Sequence, residues 1–317
     1  MCYRISIQRL EISVASALSE RDWRVHKNSQ IPRGLVAVDV IHLFGFAMAS
    51  WVLVIRWGVI AQAGWLLAIN LGLIGLIIGT VFGPIASAPP SRAAVWRLCI
   101  SVGLIILLFS EMAVLVPAVN PRRYDQFLLE MDSQYFGFVP FRSLAFLVHP
   151  FVSELCVIFY FTFYAIPISF FAVLYRAGMF EQTTSANAAV VTGFYVSYLG
   201  NVAFPAASPF RTMAPAEPFS GLLFFETLHG LVDRAEPHTL SAFPSGHILV
   251  STIVVVLCAR WRPHVLPWFV AWVLMLWFST IFLGYHYLVD TIVALPLALL
   301  SITIARALEQ ELNFLKR

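Results

Sequence analysis

The sequence predicts an all-α polytopic membrane protein with about eight transmembrane helices, and three observations carry that expectation. Of its 317 residues 60% are hydrophobic and 12% charged, with a mean hydropathy of +0.82; a soluble domain is about half apolar and about one-quarter charged. Eight apolar runs follow one another, most of them near the ~20 residues an α-helix needs to cross the hydrocarbon core. Within 243–290, two histidines and an aspartate, costly beside lipid, sit at the ends of runs and are separated by a full pass out and back. The net charge of +3 is spread along the chain, so nothing points to nucleic acid.

In chain order, residues 1–33 are polar and carry Arg4, Arg9, Arg21, Arg24, Lys27 and Arg33. They read as a cytoplasmic tail without a cleaved signal peptide, the first span serving as its own anchor. Apolar runs then occupy roughly 35–55, 61–83, 96–116, 151–174, 187–206, 247–260, 265–284 and 287–305, and 307–317 reads as a second cytoplasmic tail. The run at 247–260 is short but extends through Arg260 and Arg262, whose long side chains snorkel. Of the 20 Lys and Arg, six (Arg56, Arg122, Arg123, Arg142, Arg211 and Arg234) fall on one side of the membrane and the remaining 14 on the other. The positive-inside rule therefore places both termini in the cytoplasm and the two histidine segments on a periplasmic or luminal face. The lack of N-x-Ser/Thr sites points to a bacterial inner membrane.

Two long loops share the histidine face. In 117–150, Phe127, Leu128, Met131 and Tyr135 recur at helical spacing and predict an amphipathic interfacial helix. In 207–246, Pro209, Pro215 and Pro218 precede Leu222, Phe225, Leu228 and Val232, which share a helical face suited to a lid. Cys2, Cys99, Cys156 and Cys258 are scattered, with neither disulfide pattern nor zinc spacing.

The chemistry concentrates in three places. His286 and Asp290 are four residues apart, hence on one face if helical. A carboxylate there can hold one imidazole nitrogen and leave the other as nucleophile or base; equally, the two can simply satisfy each other at a helix end. Ser245-Gly246-His247 opens a helix whose free N–H groups can hold an anion beside a histidine, or Ser245 is an ordinary cap. Arg211 follows a span on the same face, as a phosphoryl partner or an interfacial anchor. Asp39, His42, Glu111 and Glu154 read as buried pairing groups.

Together these segments resemble the type 2 phosphatidic acid phosphatase superfamily, and within it the inositol phosphorylceramide synthase-like branch. The likeness rests on FPSGH at 243–247, GYHYLVD at 284–290, FPAASPFR at 204–211 and YDQFLLEMDSQYFG at 124–137. It implies a six-helix core over 91–306, with two additional helices in 34–90. It also implies cofactor-free and metal-independent phosphoryl transfer: His286 as nucleophile, Asp290 orienting it, and His247 as acid and base. Ser245, Gly246 and Arg211 would hold the phosphoryl oxygens, and Asp125, Asp132, Arg123 and Tyr285 would face a headgroup, with a solvated helix face as the simpler view of the two aspartates. Two family features are missing. Ser279-Thr280 stands where the general phosphatases carry Ser-Arg, and their Lys-x6-Arg-Pro motif is replaced by the segment ending in Arg211. Fewer cations suit a phosphodiester donor, unless Arg122, Arg123 or Arg142 compensates.

The expectation is a lipid phosphotransferase that passes an inositol-phosphate-like headgroup to an alcohol such as ceramide, with membrane lipids as its partners and no protein partner. The alternatives are a lipid phosphatase using water, a transporter or scramblase with a His/Asp proton relay, and a zinc enzyme using His286, Asp290 and His247 or His229.

Overall fold

The computed structural model describes residues 34–235 and 240–315. The N-terminal tail expected over 1–33 lies outside them. The chain is an all-α polytopic membrane protein: among the described residues there is no strand, only an isolated bridge between Ala206 and Ser241.

Helices α1 (Ala37–Ile55), α2 (Ala63–Phe82) and α3 (Pro90–Val119) form the first three passes. Pro90 starts α3 where its missing N–H costs nothing. Helix α4 (Asp125–Phe136) follows and stops at Gly137, whose φ of 75° is left-handed. The run expected at 151–174 is two helices, α5 (Pro150–Phe161) and α6 (Ala165–Arg176), joined by a 3₁₀ turn at Thr162–Tyr164. Pro167 explains the break: it offers no N–H to the carbonyl of Phe163 and its ring crowds that carbonyl. Then come α7 (Phe180–Ala203), α8 (Phe225–Ala235), α9 (Gly246–Trp261), α10 (Leu266–Phe282) and α11 (Leu288–Leu315). The last helix continues through most of the segment expected to be a tail.

Among the described residues, α1, α2, α3, the α5–α6 pair and α11 are long and apolar enough to cross a membrane; α9 and α10 are apolar but have 16 and 17 residues. Helix α7 is the hub, packed against α1, α3, α6, α9 and α11. Its small residues allow this. A Cβ at Gly193 would strike Leu249 and Ile253 of α9, and one at Gly200 would strike Pro244. With Ser197 they form the small-residue seam that lets membrane helices approach closely.

Helix α1 is bound into this bundle by polar side chains. Arg97 of α3 and Asp39 form a buried pair at 3.0 Å. His42 meets Tyr195 of α7 at 2.7 Å and Ser101 of α3 at 2.9 Å. Helix α2 packs chiefly on α1, and its Asn70 bonds Glu111 of α3 at 3.0 Å.

The first amphipathic segment differs from expectation in the face it buries, and the second keeps three of its four expected residues. In α4, Phe127 and Tyr135 are exposed, while Leu128 is buried against Ala206, Ala242, Tyr287 and Val289, and Asp132 is buried on the same side. A carboxylate on the inner face is the reason, because it has backbone partners there. In the second loop Leu222 precedes the helix and is exposed; Phe225, Leu228 and Val232 turn inward. Glu154 of α5 holds that helix start, accepting the N–H groups of Leu222, Leu223, Phe224 and Phe225 at 2.6–3.2 Å. The expectation of a buried pairing role for Glu154 holds, with four amides as its partners.

Candidate active site

At one end of the bundle the starts of α9 and α11 meet the segment 204–211. Ser245 caps α9, accepting the Ile248 N–H at 3.3 Å, and is fully buried. Gly246 packs closely on α7, since a Cβ there would lie 3.1 Å from Ser197 Oγ. Ser197 itself donates to the Pro244 carbonyl and Asn201 to that of Phe243, so α7 grips the FPSGH turn from below. His247 is clasped by rings: Tyr160 stacks on it at 4.6 Å and Phe163 lies tilted at 4.3 Å.

The turn from α10 to α11 is equally determined. Gly284 has φ of 72°, where side chains are strained, and a Cβ would meet the Phe141 ring. The Thr280 carbonyl accepts the N–H groups of Tyr285 and His286, and the Gly284 carbonyl accepts that of Phe210, next to Arg211. His286 lies before α11, so its pairing with Asp290 is not the helical one expected from their spacing. Asp290, in the first turn, reaches back: Oδ2 accepts the Tyr287 N–H at 2.7 Å and Oδ1 stands 3.2 Å from His286 Nδ1. This is the return half of a capping box, with the carboxylate serving the helix start and the histidine together. The same Nδ1 donates to the Ala242 carbonyl at 2.9 Å, while Asp290 Oδ1 makes no hydrogen bond and stands beside the ring as a nearby charge. With Nδ1–H so engaged, the Nε2 lone pair is left, and it faces His247 Nδ1 at 3.4 Å.

His286 lines a cavity of about 450 Å³. His247, Gly246, Arg211 and Tyr285 are part of its lining, together with Ile105, Ile106 and Phe109 of α3 and Phe194 and Tyr198 of α7. Tyr285 is buried, stacked on Tyr160 at 4.2 Å and bonded to His229 of α8 at 2.5 Å.

The structure thus brings His286, Asp290, His247, Gly246, Arg211 and Tyr285 together. It leaves four sequence candidates elsewhere. Ser245 has its hydroxyl in the cap and does not line the cavity. Asp132 is neither solvated nor facing the cavity: its oxygens accept the Leu288 and Val289 N–H groups at 3.0 and 2.8 Å. Burial pushes its carboxyl above the usual range, partly offset by those two amides. Asp125 accepts the Ala207 N–H at 2.6 Å and pairs with Arg123 at 2.8 Å, which commits both away from the cavity. Arg142 lines a separate surface pocket with Asp125 and Thr212, so it supplies no second guanidinium to the main cavity. Thr280, at the absent arginine's position, is fully buried and donates to the Trp277 carbonyl. Tyr160 and the Ala242 carbonyl were invisible beforehand: one lies inside an apolar run, the other is a main-chain group. Among the described residues no three His, Cys, Asp or Glu side chains could jointly hold a metal ion.

A family model described as PAP2 superfamily matches residues 126–304, more than half of the chain. The chain belongs to the PAP2 superfamily. Members of the PAP2 superfamily are phosphatases or phosphotransferases. The PAP2 match takes in both histidine segments and Arg211 but begins after α3, which nevertheless walls the cavity. No curated protein and no solved structure matches the chain significantly.

Proposed function

We propose that the chain is a lipid phosphotransferase of the synthase-like branch, working through a phosphohistidine on the periplasmic or luminal leaflet. One observation carries this reading: a single cavity joins His286, His247 and one guanidinium, Arg211, to an apolar wall of α3 and α7. The apolar wall suits acyl or sphingoid chains. One lining arginine suits a phosphodiester with its single negative charge better than a doubly charged phosphomonoester.

His286 Nε2 attacks phosphorus, forming the P–N bond as the P–O bond to diacylglycerol breaks. The proton on His247 goes to the departing oxygen. The Ala242 carbonyl holds the Nδ1 proton, and Asp290 opposes the charge that develops on the ring. Arg211 and the Gly246 N–H meet the equatorial oxygens, where positioning and charge compensation do most of the work. The acceptor hydroxyl then gives its proton to His247 and takes the phosphoryl group, restoring both histidines. Support for the leaflet comes from the excess of Lys and Arg on the opposite side of the spans.

Purified protein in lipid vesicles, given labelled phosphatidylinositol with and without ceramide, tests the reading. Diacylglycerol release that depends on ceramide is expected. Equal release without ceramide makes water the acceptor and the chain a phosphatase. No release from phosphodiester lipids removes the proposal.

A further inference from the structure

Helix α4 carries two carboxylates seven residues apart, Asp125 and Asp132, hence two turns apart on one face. Neither lines the cavity, yet each is bonded to main chain on a different half of the site. Asp125 accepts the Ala207 N–H at 2.6 Å, and the Tyr124 N–H just before α4 donates to the Pro205 carbonyl at 2.9 Å. Both contacts hold the segment that ends in Arg211. Asp132 takes the Leu288 and Val289 N–H groups, the first free amides of α11, directly after His286. The two halves also meet each other: Ala242 N–H donates to the Ala206 carbonyl at 3.0 Å, and the Ala242 carbonyl faces His286 Nδ1 at 2.9 Å.

We propose that α4 is the brace that sets the separation between Arg211 and His286, with Asp132 and Asp125 as positioning residues rather than headgroup ligands. The proposal rests on the phosphotransfer reading for its kinetic consequences only. Three amides at the start of α11 are consumed by carboxylates, those of Leu288 and Val289 by Asp132 and that of Tyr287 by Asp290. An incoming phosphoryl group is thereby kept off α11 and directed to the start of α9 and Arg211. Asp132 is the more deeply buried of the two, and its oxygens are divided one to each amide. An asparagine there would turn an NH₂ against a backbone N–H and shift the turn that carries His286.

The test compares D132N, D132E and D125N with E130Q, which alters an exposed residue of the same helix. Ceramide-dependent transfer from labelled phosphatidylinositol gives kcat and KM. Carbethoxylation of His286 by diethyl pyrocarbonate, followed by peptide mass spectrometry, reports the position and reactivity of its ring without any substrate. For D132N kcat is expected to fall by about 10–100-fold, the scale of an ångström-sized misplacement, with KM within about threefold and an altered His286 modification rate. D132E keeps the carboxylate and recovers part of kcat. D125N, acting on the Arg211 side, lowers kcat as D132N does but leaves His286 reactivity near wild type. E130Q matches wild type in every measurement. Folded D132N and D125N with wild-type kinetics and His286 reactivity would overturn the proposal. So would losses that track only the unfolded fraction in a thermal melt. Should D132N not fold, D132E and D125N supply the same readouts. If the wild type transfers no phosphoryl group, the functional reading fails, while the His286 modification rates still decide whether Asp132 sets that ring.

Discussion

His42 and His286 are both buried histidines held by neighbouring helices, and they are chemically opposite. His42 sits between α1, α3 and α7 with both ring nitrogens bonded, to Tyr195 and Ser101, while Asn187 completes the set by donating to Ser101 at 2.9 Å. No lining residue of the main cavity belongs to that group. It is helix-to-helix adhesive, the use of polar side chains that makes membrane bundles specific. His286 has one nitrogen on the Ala242 carbonyl with Asp290 close by and the other 3.4 Å from His247, and its residue lines the cavity that Arg211 also lines. Burial and polarity are common to both regions. A ring that lines a cavity beside a second histidine belongs to one of them.

The comparison can be broken by substitution. The largest effect is expected from H286A: turnover falls to background in the phosphatidylinositol assay, and retained turnover removes His286 as nucleophile. D290N should follow, with kcat down by about 10³–10⁴-fold, as when a catalytic histidine loses the carboxylate that orients it; a loss below tenfold would mean that the Ala242 carbonyl suffices. R211A should cost about 10²–10³-fold, the usual scale for removing one donor to a developing anion, and equal losses on mono- and diester substrates would deny it a role in choosing between them. H42L should leave kcat per folded molecule within about twofold while lowering stability by about 1–3 kcal/mol, because Tyr195 and Ser101 lose a buried partner. A large kcat loss with unchanged thermal stability would erase the distinction between the two histidines. Smallest of all, excess chelator should leave turnover unchanged, measured after dialysis; strict dependence on added zinc would point to the metal alternative.

Much of the fold could be read from the chain because lipid imposes length: the eight apolar runs all fall on helices, although among the described residues five passes are long and apolar enough to span. The break inside the α5–α6 pass was less visible, although Pro167 was its signal. Membership of the site was legible in FPSGH, GYHYLVD and Arg211, which are short and local. Its internal geometry was not. Spacing suggested that His286 and Asp290 share a helix face, whereas Asp290 reaches back as a cap to a histidine outside the helix. The roles of Asp132 and Glu154 were hidden for a related reason. Their partners are backbone amides 156–157 and 68–71 residues further on, and main-chain partners leave no trace in residue identity. Thr280 marked the absence of one arginine in the sequence; that among the described residues Arg211 lines the cavity while Arg123 pairs with Asp125 and Arg142 lines another pocket required the structure.

The path from α4 to the His286 ring runs through Ala207, Ala206 and Ala242, and at each of them the linking atoms are peptide N–H or C=O. Any residue small enough to fit could occupy those three positions without cutting the link, proline excepted at 207 and 242, where the N–H is used. Lineages of this chain could therefore drift at the alanines while keeping the spacing between arginine and histidine. Insertion or deletion of a single residue in 205–208 or 240–243 would be far less tolerated, because it would shift the whole relay by one peptide. The most informative variation to collect is thus in segment length rather than in side chains.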